Sequence, residues 1–233
     1  MPCSHADPAI VASAANFRST LMDLIDAYQT RHPEADYEVI SGSTGILYAQ
    51  IQAGAPFDLF FAADEASTEE LAQAGRSIKP PEIYAIGRLA LWAPNNQRPW
   101  QDFLRSFNGR IALANPLLAP YGRAAAATLK AGFFSQTLKT VQGNNVVQAF
   151  QFVETGNVEA GLLSLAQLRL AQVSPNHFYL VPTKYHPPII QKRVLLTNHA
   201  AAIGLDQFVS TSVAQQILTN AGYQTQRPNR PLK

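Results

Sequence analysis

The chain has 233 residues, 47% of them apolar, which is enough for one large domain or two lobes with real cores. Its formal charge is only +2, and the basic residues are scattered without a run of five or more, which excludes the electrostatic footprint of a nucleic-acid binder. No apolar stretch reaches the ~20 uncharged residues that span a bilayer, and the single cysteine, Cys3, excludes both an internal disulfide framework and a multi-cysteine metal site.

The opening "MPCSHADPAI" lacks the charged and apolar regions of a signal peptide, yet Ser4-His5-Ala6 has the small-x-small form of a signal-peptidase site. The exported form is expected to begin near Asp7, with the signal peptide absent or removed in this chain; a lipidated Cys3 is the alternative. Ala9 to Ala14 reads as a buried strand. Phe17, Leu21, Leu24, Ile25 and Tyr28 then recur at helical spacing, with Asn16 where an N-cap belongs.

Tyr37 to Ile40 makes a second strand, and "SGSTGILYAQ" (Ser41 to Gln50) turns from it into a helix starting at Gly45. Gly54 is the expected C′ residue of that helix, with Pro56 beyond. "FDLFFA" (Phe57 to Ala62) is a third strand. Ser67 and Glu70 have capping-box spacing ahead of Leu71, and Gly75 closes a short helix.

From Ile83 the run "IYAIGRLALWA" reads as one long strand, and Ile189 to Thr197 as another. Between them lie a strand at Arg110 to Ala114, an alanine-rich helix after Tyr121, a helix from about Asn145 to Thr155, and the strand "AGLLSL" from Ala160. One last amphipathic helix runs through Phe208, Val213, Ile217 and Leu218, followed by a polar, proline-bearing tail. Alternating strands and helices argue for an α/β fold with mainly parallel sheets. The expected organisation is a first lobe from residues 7–84, an inserted second lobe over 85–194, and completion of the first lobe plus the tail over 195–233, with a ligand cleft between the lobes.

The residues Ser41 to Glu65, "SGSTGILYAQIQAGAPFDLFFAADE", with "YAIGRLALW" (Tyr84 to Trp92) and "ANPLLAPYG" (Ala114 to Gly122), resemble the periplasmic molybdate-binding proteins of ABC transporters. The resemblance runs in order from the Asn16 turn to "NAGYQ" at Asn220. It implies a two-lobed type II periplasmic-binding-protein fold, each lobe a mainly parallel sheet flanked by helices. Such a protein closes on molybdate or tungstate as its ligand and hands it to a membrane permease; it is expected to be periplasmic and monomeric, without a cofactor. Carried over by position, the oxyanion-binding residues are Ala15 and Asn16, Ser43 and Thr44, Tyr121, and Val146.

The chemistry of these positions agrees with that reading. Each lies at or just before an expected helix N-terminus, where unpaired N–H groups and the positive end of the helix dipole favour an anion. Ser43, Thr44 and Tyr121 offer hydroxyls, Ala15, Asn16 and Val146 offer backbone N–H, and the Asn16 amide adds a donor. Molybdate only accepts hydrogen bonds, so a site made of donors suits it. Protonated phosphate would want an acceptor, and sulfate would have to be excluded by size. Plain helix capping explains any one of these turns alone; their joint occurrence with the family pattern favours the site.

Two departures stand out. Ala15 replaces a threonine of close family members, removing a hydroxyl donor. Arg18 and Arg123 each follow a site residue by two positions, where they either face solvent or steer anions inward.

The competing classes are a binding protein for another tetrahedral oxyanion such as sulfate, an oxyanion-sensing effector domain, and an enzyme. His5, His32, His177, His186 and His199 form no metal-ligand or triad pattern, and "GSTG" is neither a phosphate loop with its lysine nor a nucleophile elbow. Asp58, Asp64 and Glu65 read as structural, and no attached helix-turn-helix segment supports a regulator.

Overall fold

The computed structural model describes residues 7–135 and 138–225. Cys3, the Ser4-His5-Ala6 motif and the end of the tail lie outside the described residues. The chain divides into two compact units, one combining the chain up to Ala85 with the chain from Ile190 onward, the other Ile86–Ile189.

The first unit is built on strands β1 (Ala9–Ala14), β2 (Tyr37–Gly42), β3 (Leu59–Phe61), β4 (Glu82–Gly87) and β10 (Ile189–Leu195), ordered β2-β1-β3-β10-β4. β2, β1 and β3 run parallel, while β10 is antiparallel to β3. Alternation along each strand sends residues to opposite faces. Ala12, Phe60 and Val194 pack under Leu47 and Ile51 of helix α2 (Thr44–Gln52) and Leu71 of α3 (Ala66–Gln73). Val11, Leu59 and Phe61 are buried as well, with Phe17 and with Leu21 and Leu24 of helix α1 (Arg18–Gln29).

The second unit contains β5 (Leu89–Trp92), β6 (Arg110–Ala114), β7 (Lys139–Gly143), β8 (Ala160–Ser164) and β9 (Phe178–Leu180), ordered β7-β6-β8-β5-β9. Three strands are again parallel, and β5 runs antiparallel to both β8 and β9. Helices α4 (Trp100–Ser106), α5 (Pro120–Lys130), α6 (Val146–Glu154) and α7 (Leu165–Leu170) belong to this unit. Its core joins Leu91, Leu113, Leu162 and Leu163 of the sheet to Phe103, Ala125 and Phe150 of the helices. Both sheets are thus mixed, with three parallel strands at one edge completed by antiparallel neighbours, and each is flanked by helices.

Four local expectations are corrected. Asn16 does not cap α1: the N-cap is Phe17, whose side chain makes no cap bond, and the Asn16 side chain is turned to Gln191 and Tyr223, to which its Nδ2 donates. The Ser67–Glu70 capping box is replaced by Asp64, whose Oδ1 accepts the Ser67 N–H at 3.1 Å. The long strand from Ile83 is two strands, β4 and β5, in different sheets. The last helix is also two, α8 (Ala200–Val209) and α9 (Ser212–Asn220); the Thr211 hydroxyl accepts the Ala214 N–H and starts the second afresh.

Asp58 has the structural role its place suggested. One carboxylate oxygen accepts the Ile10 N–H at 2.8 Å and the other the Thr197 hydroxyl, pinning β1 and the end of β10 beside β3. Gly54 and Gly75 hold positive φ values of 91° and 69° one residue past the C-caps of α2 and α3, the left-handed backbone a helix stop requires. Among the described residues, no helix is long and apolar enough to cross a membrane.

Candidate functional site

In the first unit, two of the expected turns meet at the carboxyl ends of β1 and β2. These strands pair in register through Ala14 and Gly42. One step further the Ala15 N–H donates to Gly42 O at 2.8 Å, joining the β1–α1 turn to the β2–α2 turn. That bond consumes the Ala15 N–H, which was expected to be an anion donor. Asn16 is buried, and its amide spends both hydrogens on Gln191 Oε1 at 3.0 Å and Tyr223 OH at 3.1 Å. Asn16 therefore offers an anion its backbone N–H rather than its side chain.

The β2–α2 turn keeps more in reserve. Ser43 takes extended backbone angles (φ −69°, ψ 145°) ahead of α2, and its carbonyl accepts the Ile46 and Leu47 N–H groups, each at 3.1 Å. Helix geometry leaves the Thr44 and Gly45 N–H groups without an intrahelical acceptor. The Thr44 hydroxyl oxygen accepts the Ala63 N–H at 3.0 Å, so its own hydrogen remains to be given. Ser43 is 3% exposed and its hydroxyl has no hydrogen-bond partner among the described residues. An unpaired buried hydroxyl costs free energy, and finding one at a helix N-terminus marks a place where a ligand acceptor would be welcome.

The second unit repeats the arrangement. β6 and β7 pair in register through Ala114 and Gly143, and the Asn115 N–H donates to Gly143 O at 2.7 Å. This matches the Ala15–Gly42 bond of the first unit. Tyr121, buried in the first turn of α5, receives the Ser164 hydroxyl on its phenolic oxygen at 3.3 Å. Asn145 caps α6, its Oδ1 accepting the Val147 and Gln148 N–H groups, each at 3.0 Å. The cap passes over Val146, whose N–H heads the helix without an intrahelical acceptor.

The structure thus brings Ala15, Asn16, Ser43 and Thr44 together in one unit, and sets Tyr121 and Val146 at matching helix starts in the other. No member of the set carries a formal charge at neutral pH. Arg18 and Arg123 are both exposed. Sequence reasoning missed the Asn145 cap, although an asparagine directly before an apolar helical run is its ordinary signal. It also missed Ser164, Gln191 and Tyr223, which carry no local signal. Among the described residues no group of three or more His, Cys, Asp or Glu side chains is placed to hold a metal ion.

Residues 9–224 match the family model of the bacterial extracellular solute-binding proteins. The chain is 35% identical over 225 residues to the molybdate-binding protein ModA of Azotobacter vinelandii, spanning 91% of this chain and 88% of that one. It is 31% identical to ModA of Rhodobacter capsulatus, over 95% of this chain and 90% of that protein. The solved structure of the periplasmic molybdate-binding protein of Azotobacter vinelandii superposes with a TM-score of 0.83 at 32% identity, covering 94% of this chain and all of the other.

Proposed function

The chain belongs to the family of bacterial extracellular solute-binding proteins, which bind a solute rather than transform it, and we propose that its solute is molybdate, with tungstate as a congener. In the first unit Asn16, Ser43 and Thr44 are the proposed donors to its oxygens, with Ala15 shaping the first turn; in the second unit the proposed donors are Tyr121 and Val146. We further propose that the protein works in the periplasm as a monomer and delivers its load to an ABC permease. The relatives named for molybdate, similar over nine-tenths of the chain, support the choice of anion.

The observation that carries the reading is the Ser43 hydroxyl, buried at the head of α2 without a partner among the described residues. Beside it the Thr44 hydroxyl accepts the Ala63 N–H and keeps its own hydrogen to donate. Two hydroxyl donors and the adjacent first-turn N–H groups form a set that suits an ion able only to accept. Neutral donors also bind without burying a countercharge, so the desolvation of a lysine or arginine is avoided. The same donor set would accept sulfate, so discrimination rests on the spacing of fixed donors against the longer metal–oxygen bonds of molybdate.

The test is thermal unfolding of the protein with molybdate, tungstate, sulfate, phosphate, chromate and vanadate. A ligand that binds only the folded state raises the midpoint. Molybdate and tungstate are expected to raise it well above the others; a midpoint unmoved by every anion would overturn the reading.

A further inference from the structure

Behind Asn16 lies a buried polar cluster that the oxyanion reading does not use. Asn16 Nδ2 donates to Gln191 Oε1 and to the Tyr223 hydroxyl, and that hydroxyl donates back to Asn16 O at 2.8 Å. Gln191 Oε1 also lies 2.9 Å from the Tyr84 hydroxyl, which stands 3.1 Å from Ala62 O. The four side chains come from the β1–α1 turn, β4, β10 and the segment after α9, and all four are buried within the first unit.

We propose that Gln191 and Tyr223 are positioning residues of the oxyanion site: by clamping Asn16 they fix the first anion-binding turn and set how strictly it discriminates anions by size. The proposal rests on the oxyanion reading given above. Its first support is the choice of residue at position 191. Gln191 is fully buried, yet its Nε2 has no partner among the described residues. A leucine or methionine would fill a strand interior without that unpaired donor, so the amide is kept for what its oxygen accepts. Turning the amide over would set its NH2 against the Asn16 NH2, donor against donor. What Gln191 supplies is therefore Oε1, held against Asn16 and Tyr84.

The second support is the double hold on Asn16. Tyr223 bonds its carbonyl as well as its amide, so the peptide plane and the side chain are restrained together. The next residue is clamped too, since the Phe17 ring lies 4.5 Å from Tyr84 and 5.7 Å from Tyr223 between centroids. A backbone N–H fixed in this way cannot follow a smaller anion inward, and size discrimination by neutral donors depends on that rigidity.

The test is calorimetric titration of the wild type, Tyr223→Phe and Gln191→Leu with sodium molybdate, and with sulfate in competition, alongside urea unfolding without anion. Tyr223→Phe keeps the ring and its packing and removes only the hydroxyl. It is expected to weaken molybdate about tenfold while weakening sulfate less, so that the ratio of the two dissociation constants falls several-fold. Gln191→Leu should shift the ratio in the same direction. Variants that lose affinity for both anions by one factor, in step with lost stability, would reduce the cluster to a structural role and overturn the proposal. Tyr223→Phe with the wild-type affinity and ratio would overturn it as well. A wild type that binds neither anion would instead overturn the oxyanion reading itself, and this inference with it.

Discussion

Thr44 Oγ1 accepts the backbone N–H of Ala63 at 3.0 Å, and both residues are almost wholly buried. The bond fastens the head of α2 to the chain leaving β3, so the hydroxyl serves the fold as well as any ligand. Thr44→Ala leaves the Ala63 N–H buried and unpaired, which costs about 1–3 kcal/mol. The urea midpoint of the unliganded protein is expected to fall accordingly, and Thr44→Ser to recover most of the loss. Unchanged stability in Thr44→Ala would show that the Ala63 N–H reaches another acceptor.

Gly122 tests how closely the candidate site is built. A Cβ placed on it would lie 2.4 Å from Ala114 O and 2.8 Å from Asn115 C, both backbone atoms that cannot swing aside. The first turn of α5 therefore rests directly on the end of β6, and this contact places the Tyr121 backbone. Gly122→Ala is expected to cost about 3 kcal/mol or more, the upper end of overpacking in a core. Gly54→Ala, at φ 91° in open space, should cost only about 1–2 kcal/mol of backbone strain. Comparing soluble yield and melting of the two variants checks the ranking, and similar midpoints would contradict it.

Tyr37 gives the fold an alkaline limit. Its hydroxyl donates to Ala201 O at 2.9 Å, and burial, with smaller contributions from Tyr28 and Glu34, pushes its pKa well above the ordinary 10.0. Above that ordinary value the unfolded chain releases the phenolic proton while the folded chain keeps it, so stability falls as pH rises. Lys79 acts in the same direction: burial pulls its pKa down, but Asp206 and Glu82 together raise it above the lysine range. Urea midpoints at several pH values from 8 to about 11 should decline above the ordinary tyrosine range. Tyr37→Phe should flatten that decline at a neutral-pH cost of about 1 kcal/mol, and an undiminished slope in the variant would assign it to other groups.

What the sequence made legible follows from the range of the forces involved. β1, α1, β6 and α6 were readable because apolar residues recur at strand or helix period and end in turn residues. β7, "KTVQG", is mostly exposed along its length and carries no such period, so it was not seen. The break between β4 and β5 at Arg88 was invisible because both halves are apolar and only their partners differ. The candidate residues Ser43, Thr44 and Val146 came from the family resemblance, and their places at helix starts agreed with it. The partners that decide what Asn16 can donate lie 175 and 207 residues away, beyond any local pattern.

Ser43 separates ligand binding from folding more cleanly than any other residue of the set. Its neighbour Thr44 is bonded to Ala63, so removing that hydroxyl disturbs the fold and the site together. Ser43 Oγ has no partner among the described residues, caps nothing in α2 and is buried. Ser43→Ala breaks no hydrogen bond in the unliganded protein and removes a desolvated hydroxyl, so unliganded stability should hold or rise slightly. If the hydroxyl donates to a bound oxyanion, its loss removes a charge-assisted bond worth about 1.5–3 kcal/mol, roughly a ten- to hundredfold rise in the molybdate dissociation constant. The pair of results, stability kept and affinity lost, is the signature expected of a residue held ready for a ligand. Calorimetry with molybdate and urea unfolding without it measure both halves. A Ser43→Ala protein that binds molybdate as tightly as the wild type would place the anion elsewhere, and one that unfolds more easily would mean that the hydroxyl has a partner within the fold after all.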